Sequence, residues 1–188
     1  LIAARGRELF RLAREHGVDL LFEASVGGGI PIIKGLREGL VGNNIKSIYG
    51  ILNGTTNYIL TRMAADGMDF AEALAEAQRA GFAEQDPSLD IDGIDAAHKL
   101  AILASIASSA TVDLERIYVE GIRRIGKVDV DFARSLGYVI KLLAICRQVD
   151  GRYDLRVHPT LIPQDHLLAA VSRELNAIFV QGDFVGDT

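Results

Sequence analysis

Residues 94–109 read as a helix that is apolar on nearly every side, with Leu100, Ala101, Ile102, Leu103, Ala104, Ile106 and Ala107 in close succession. A helix of that kind is stable in water only when other elements surround it. The chain must therefore build a layered core around this segment, and 188 residues suffice for one good-sized domain, or one domain and part of another. Lys99 stands near the helix start. It is expected to be largely desolvated there, which is costly for a charge unless it is paired and useful.

The segment before that helix supplies the partners. Glu84, Asp86, Asp90, Asp92 and Asp95 place five carboxylates within twelve residues, and Lys99 follows four residues after the last. On a helix beginning near Asp92, Asp95 and Lys99 share one face. A plain surface salt bridge would be worth only a few tenths of a kcal/mol, roughly, but the apolar surroundings of Lys99 favour a functional role. Ser88-x-Asp90-x-Asp92-Gly93 has the rhythm of a calcium loop, yet its twelfth position is Lys99, a cation that opposes calcium. Carboxylates beside a half-buried lysine suit a substrate with an ammonium group and a reactive oxygen that gains or loses a proton at the lysine.

Two further loops have the composition of binding elements. Asn53-Gly54-Thr55-Thr56-Asn57 joins a strand to a helix. Its hydroxyls and free N–H groups suit a carboxylate, while Thr55 or Thr56 can equally serve as an ordinary N-cap, and the two roles are compatible. Glu23-Ala-Ser-Val26-Gly27-Gly28-Gly29-Ile30-Pro31 runs into three glycines that admit a ligand or another backbone closely. The dinucleotide fingerprint G-x-G-x-x-G does not occur.

Patterning predicts the remaining elements. Residues 1–16 read as a helix closed by Gly17, with a strand at 18–22, and together they look like the last αβ unit of an α/β layer. Helices are predicted from Pro31 to Glu38, 58–65, 70–80 and 129–148, and between His166 and Arg173. Strands are predicted at 45–52, 153–161 and 177–184, with 113–118 a short connection. The chain opens at Leu1 inside a helical pattern and stops at Thr188 just after a strand-like run, and both ends read as cuts.

Composition narrows the partners. The formal charge is −5 without a Lys/Arg cluster, which argues against nucleic acid or an anionic membrane. Apolar runs stop well short of the ~18 residues of a spanning helix. The lone Cys146 excludes an internal disulfide, fits a reducing cytoplasm, and reads as an inert core thiol. His98 reads as structural, His158 and His166 lack a partner at metal-ligand spacing, and Lys141 reads as snorkelling from a core helix.

Taken together, residues 23–31, 50–59, 81–99, 137–143 and 158–163 resemble homoserine dehydrogenases, colinearly along essentially the whole chain. The resemblance implies an α/β protein: a remnant of a Rossmann-type nucleotide-binding layer over residues 1–24. An α+β substrate and dimerisation domain with a mixed sheet and packed helices would follow over 25–188. It implies NAD- or NADP-dependent interconversion of L-aspartate 4-semialdehyde and L-homoserine, toward threonine and methionine. Lys99 would then be the general acid, Asp95 would orient the reacting group, Glu84 would bind the substrate ammonium, Asp90 would support the acidic site, and Thr55 would lie near the substrate carboxylate. Gly27, Gly28 and Gly81 would lie against the cofactor, and Glu23 with the carbonyls of Val26, Gly28 and Ile30 would hold a monovalent cation, sodium by its oxygen ligands. A homodimer or higher homo-oligomer, cytoplasmic, is expected. The family's nucleotide-binding half and Gly-rich return segment are not represented, so the span by itself is expected to turn over little. The rivals are a non-catalytic amino-acid-binding or dimerisation module, and another nicotinamide-linked enzyme acting on an amino-acid aldehyde.

Overall fold

The longest strands set the frame. In the computed structural model, which describes residues 1–188 throughout, β3 (Tyr138–Val149) and β4 (Arg152–Pro163) form a hairpin paired in register from Tyr138↔Pro163 to Val149↔Arg152. The turn between them uses Asp150 and Gly151, both at positive φ. β1 (Ile45–Ile51) lies antiparallel on the other side of β3, and β5 (Ala177–Gly182) lies beyond it. Two-residue strands close the edges, β2 (Tyr118–Val119) parallel to β4 and β6 (Gly186–Asp187) antiparallel to β5. The order is β2-β4-β3-β1-β5-β6, a mixed sheet as expected.

Helices cover one face. α3 (Gly54–Asp66) and α6 (Ile94–Ser108) pack on Ile48, Leu142, Ala144 and Cys146 in the main core cluster. The first turns of α6 are engulfed, with Ala96, Ala97 and every residue from Leu100 to Ala104 buried, as the all-round apolar pattern requires. α4 (Phe70–Arg79) opens on a capping box between Asp69 and Glu72 and packs on α3, while α7 (Lys127–Ser135) meets α3 and β3. α1 (Ile2–Glu15) rests on α6 and reaches the same core through Ile2 and Ala3. The opposite sheet face carries Ile51, Leu143 and Ile162, covered at one end by Leu168 from a 3₁₀ turn at Leu167–Ala170.

Several expectations are corrected. The helix predicted over 129–148 is α7 followed by β3: Gly137, at φ 80°, stops the helix, and Val139 to Cys146 run on as the central strand. Helices cover one face of that strand and the other is also largely apolar, covered at one end by Leu168, so its alternation is hidden in a nearly continuous apolar run that reads equally as a buried helix. Val18–Phe22 takes no regular secondary structure and pairs with no strand. The helix after Pro31 is one α turn, α2 (Ile32–Lys34), continued by a π turn over Gly35–Gly39. The 166–173 helix shrinks to the 3₁₀ turn, the 113–118 connection holds a 3₁₀ turn and the start of β2, and α3 starts four residues earlier than predicted. Lys141 does not snorkel from a helix. It sits on β3 only 5% exposed, its ammonium donating to Asn57 Oδ1 at 3.0 Å and to the Val171 carbonyl at 2.6 Å, with burial lowering its pKa to about 8.

Candidate active site

The site is built where β1 ends. Leu52 and Asn53 leave the strand, and Asn53 caps α3 by accepting from Thr56 N–H at 2.9 Å and Thr56 Oγ1 at 2.9 Å. The cap is thus Asn53 and neither threonine, a shift of two or three residues from the sequence reading. Gly54, first in α3, cannot be larger: a Cβ there would lie 2.7 Å from the Glu174 carbonyl oxygen. Asn57, fully buried, ties the same covering segment down by donating to the Val171 and Leu175 carbonyls.

The acidic segment docks onto this turn. It contains a short helix, α5 (Ser88–Ile91), and is clamped from behind by Gly121, whose missing Cβ leaves room for the Ile91 carbonyl, and by Ile122 N–H donating to that carbonyl at 2.8 Å. Phe82 stacks on Tyr58 with ring centroids 4.7 Å apart and presents its carbonyl to Thr55 Oγ1 at 2.7 Å. Tyr58 in turn donates to Glu76 at 2.6 Å, and that bond, with burial, pushes its pKa up.

The five clustered carboxylates separate in space. Asp86 accepts from the Ser88 hydroxyl and N–H, which hold its carboxyl below the usual range. Asp92 pairs with Arg123, which also donates to Ser88 Oγ. Asp90 and Asp92 therefore turn to different partners, contrary to a shared calcium loop. Glu84 is exposed, its carbonyl accepting from Gln78 Nε2 at 3.1 Å, and its carboxylate makes no hydrogen bond to Asp90, Asp95 or Lys99. Only Asp90 and Asp95 meet the β1–α3 turn. The Asn53 carboxamide donates to Asp90 Oδ1 at 2.7 Å and Asp95 Oδ2 at 2.9 Å, and Thr55 Oγ1 lies 3.1 Å from Asp90 Oδ2.

Lys99 completes the chain of contacts. Its ammonium donates to Asp95 Oδ2 at 2.7 Å and to the Leu52 carbonyl at 2.8 Å. The i,i+4 pairing on α6 is as read from spacing, but Lys99 and Asp95 keep 23% and 32% of their side chains exposed, so the pair stands at the rim of the core and not deep within it. One of the three ammonium donors and Asp95 Oδ1 are left for a ligand. The N–H groups of Gly54 and Thr55 at the start of α3 also have no protein acceptor. An oxygen that gains a proton, next to a carboxylate held by free N–H groups, is what this arrangement accommodates. His98 points away, exposed.

Toward the glycine turn, Glu23 accepts from Ile33 N–H at 2.7 Å and Lys34 N–H at 2.9 Å, anchoring the turn to α2. Gly27 and Gly28 both take positive φ, and Gly27 approaches Ile178, which pairs with Gly50 on β1. The turn thus lies beside the strand that leads into the Asn53 cap. Gly28, Gly29 and Gly81 face open space, leaving bare backbone against which a flat ring can rest. Sequence reasoning missed the roles of the Leu52 carbonyl and the Asn53 carboxamide. The signal for Asn53 was present, an Asn directly before a strand-to-helix turn.

Comparison with known proteins places the chain in a family. The homoserine dehydrogenase family profile matches residues 31–188. The homoserine dehydrogenase of Pseudomonas aeruginosa is 52% identical over 188 residues, all of this chain and 43% of that protein. A crystal structure of the Thiobacillus denitrificans homoserine dehydrogenase superposes with a TM-score of 0.98 at 53% identity, over 100% of this chain and 44% of the other. A hyperthermophilic archaeal homoserine dehydrogenase in complex with NADPH gives a TM-score of 0.84 at 33% identity, over 100% of this chain and 53% of the other. The chain spans less than half the length of the curated relatives it matches. It belongs to the homoserine dehydrogenase family.

Proposed function

We propose that this span carries the substrate site of an NAD(P)-dependent homoserine dehydrogenase interconverting L-aspartate 4-semialdehyde and L-homoserine, on the route to threonine and methionine. The observation that carries the proposal is the hydrogen-bonded chain Leu52–Lys99–Asp95–Asn53–Asp90, which leaves one ammonium donor and one carboxylate oxygen for a reacting C–O group.

The nicotinamide, when bound, supplies or accepts the hydride. Lys99 gives a proton from Nζ to the aldehyde oxygen as that carbon is reduced, and takes it back from the hydroxyl in the reverse direction. Asp95 aims the ammonium, and its remaining oxygen helps to orient the reacting group. The Gly54 and Thr55 N–H groups receive the substrate carboxylate at the start of α3. The Thr55 hydroxyl is already committed to protein acceptors, so its contribution there is through the main chain. Glu84, exposed and without a partner, is free to swing onto the substrate ammonium, with Asp90 fixing the wall behind it. Gly28 and Gly81 give the cofactor ring bare backbone to rest on, and Gly27, packed on Ile30 and Ile178, shapes the turn that presents it.

A monovalent cation, sodium in our reading, fits the donor chemistry of Glu23 with the Val26, Gly28 and Ile30 carbonyls. The Ile30 carbonyl already accepts from Ile32 N–H, and the two Glu23 carboxylate oxygens from Ile33 and Lys34 N–H, so the cation would share these acceptors. We assign residues 1–24 to the end of a nucleotide-binding layer and 25–188 to the catalytic and dimerisation domain; α1 and Phe22 packing on the common core supports the junction. The sheet face holding Tyr49, Ile145 and Phe179, capped only at one end, favours a homodimer or higher homo-oligomer. No helix is long and apolar enough to cross a membrane. With a lone buried thiol, this fits a cytoplasmic enzyme. The test is appearance of reduced cofactor when the full-length protein is given L-homoserine with NAD or NADP. Homoserine-dependent reduction supports the reading; none from folded protein with either cofactor overturns it.

A further inference from the structure

Asn53 touches more of the site than any other side chain, and its two ends do separate work. Oδ1 must be the acceptor, because Thr56 N–H can only donate, and Nδ2 must be the donor end, because it faces two carboxylates. The two N–H bonds go to different aspartates, one on α5 and one on α6, at 2.7 and 2.9 Å. Asn53 itself is buried.

We infer that Asn53 is a positioning residue of the reaction: its carboxamide bridges Asp90 and Asp95 and thereby fixes the carboxylate that aims Lys99. The inference rests on the dehydrogenase reading given above. The geometry carries it in three steps. Asp95 Oδ2 accepts from both Asn53 and Lys99, so its rotamer is set from two directions. The other protein partner of the Lys99 ammonium is the carbonyl of Leu52, the residue next to Asn53, so one stretch of backbone places both ends of the Lys99–Asp95 pair. Asp90 is held by Asn53 on one oxygen and lies against Thr55 on the other, which turns it away from the ammonium and leaves Asp95 as the carboxylate paired with Lys99. Without the bridge, Asp95 is free to rotate with Lys99 following it, and a displacement on the order of 1 Å from the proton-transfer geometry costs up to about hundredfold in rate.

Asn53→Asp and Asn53→Ser separate bridge from cap. Both side chains still accept from Thr56 N–H, since Asp and Ser are good N-caps, but Asp loses both donors and Ser is too short to span two carboxylates. In the full-length enzyme, kcat with L-homoserine should fall about ten- to hundredfold in both variants, with KM changing much less. The solvent deuterium isotope effect on kcat should rise, because the misplaced proton transfer becomes slower than the steps around it. Wild-type kcat and isotope effect in either folded variant would overturn the inference while leaving the dehydrogenase reading intact. Loss of fold in both variants, or lower kcat with an unchanged isotope effect, would assign Asn53 to the helix cap alone and also overturn it. A wild-type enzyme inert toward homoserine would remove the reading beneath the inference, and the inference with it.

Discussion

Replacing Lys141 by Met should change how stability depends on pH, in a direction and by an amount the structure dictates. Lys141 is buried with two neutral acceptors and no carboxylate, and desolvation lowers its pKa from 10.5 to about 8. A base with a depressed folded pKa binds fewer protons in the native state than in the unfolded one. Stability therefore carries a full penalty below pH 8, recovers as pH rises from about 8 toward 10.5, and is level above that. The slope is about 1.4 kcal/mol per pH unit, so the whole recovery is roughly 3 kcal/mol, of which about 1 kcal/mol falls between pH 7 and 9. Cys146 acts the other way: burial first, then Asp154, raises its pKa from 9.0 to about 12, so its contribution is present below pH 9 and is lost above it. In the native sequence the two trends nearly cancel from pH 9 to 10.5. The difference between native and Lys141→Met removes the cysteine and leaves the lysine. Urea unfolding followed by circular dichroism, the chain having no Trp, should show native minus variant stability rising by about 1 kcal/mol from pH 7 to 9. A difference that stays flat across that range would mean Lys141 is charged throughout and would refute the argument.

Three other outcomes follow from close contacts. Gly54→Ala should gain about 1 kcal/mol of helix propensity but force a methyl to 2.7 Å from the Glu174 carbonyl; overpacking of about 1–3 kcal/mol should win, giving a lower melting temperature in thermal unfolding. Gly121→Ala places a methyl 2.2 Å from the Ile91 carbonyl, so amide exchange at residues 88–92 should accelerate while the hairpin of β3 and β4 keeps its protection. Cys146 should resist iodoacetamide at pH 8 in the folded protein and react once urea unfolds it, because a buried thiol with a raised pKa has almost no thiolate.

How much of this was legible beforehand depended on whether the deciding contacts were local. The Asp95–Lys99 pair, the burial of α6 and the strand at 45–51 follow from spacing and periodicity within one element. The split of five carboxylates into separate roles does not, because Arg123 and Asn53 reach Asp92 and Asp90 from more than thirty residues away. The central strand was misread as helix for a related reason: with helices on one face and the Leu168 turn on the other, Val139–Cys146 shows no polar alternation. Lys141 looked like a snorkelling side chain because its partners, Asn57 and the Val171 carbonyl, come from distant segments.

The account turns on Lys99 as the proton carrier. Lys99→Ala in the full-length enzyme should lower kcat with L-homoserine by at least about hundredfold, leave KM nearly unchanged, and recover rate when small primary amines are added, faster with the more basic amine. A Lys99→Ala enzyme that keeps the native kcat, or loses it with no response to any amine, would contradict the assignment.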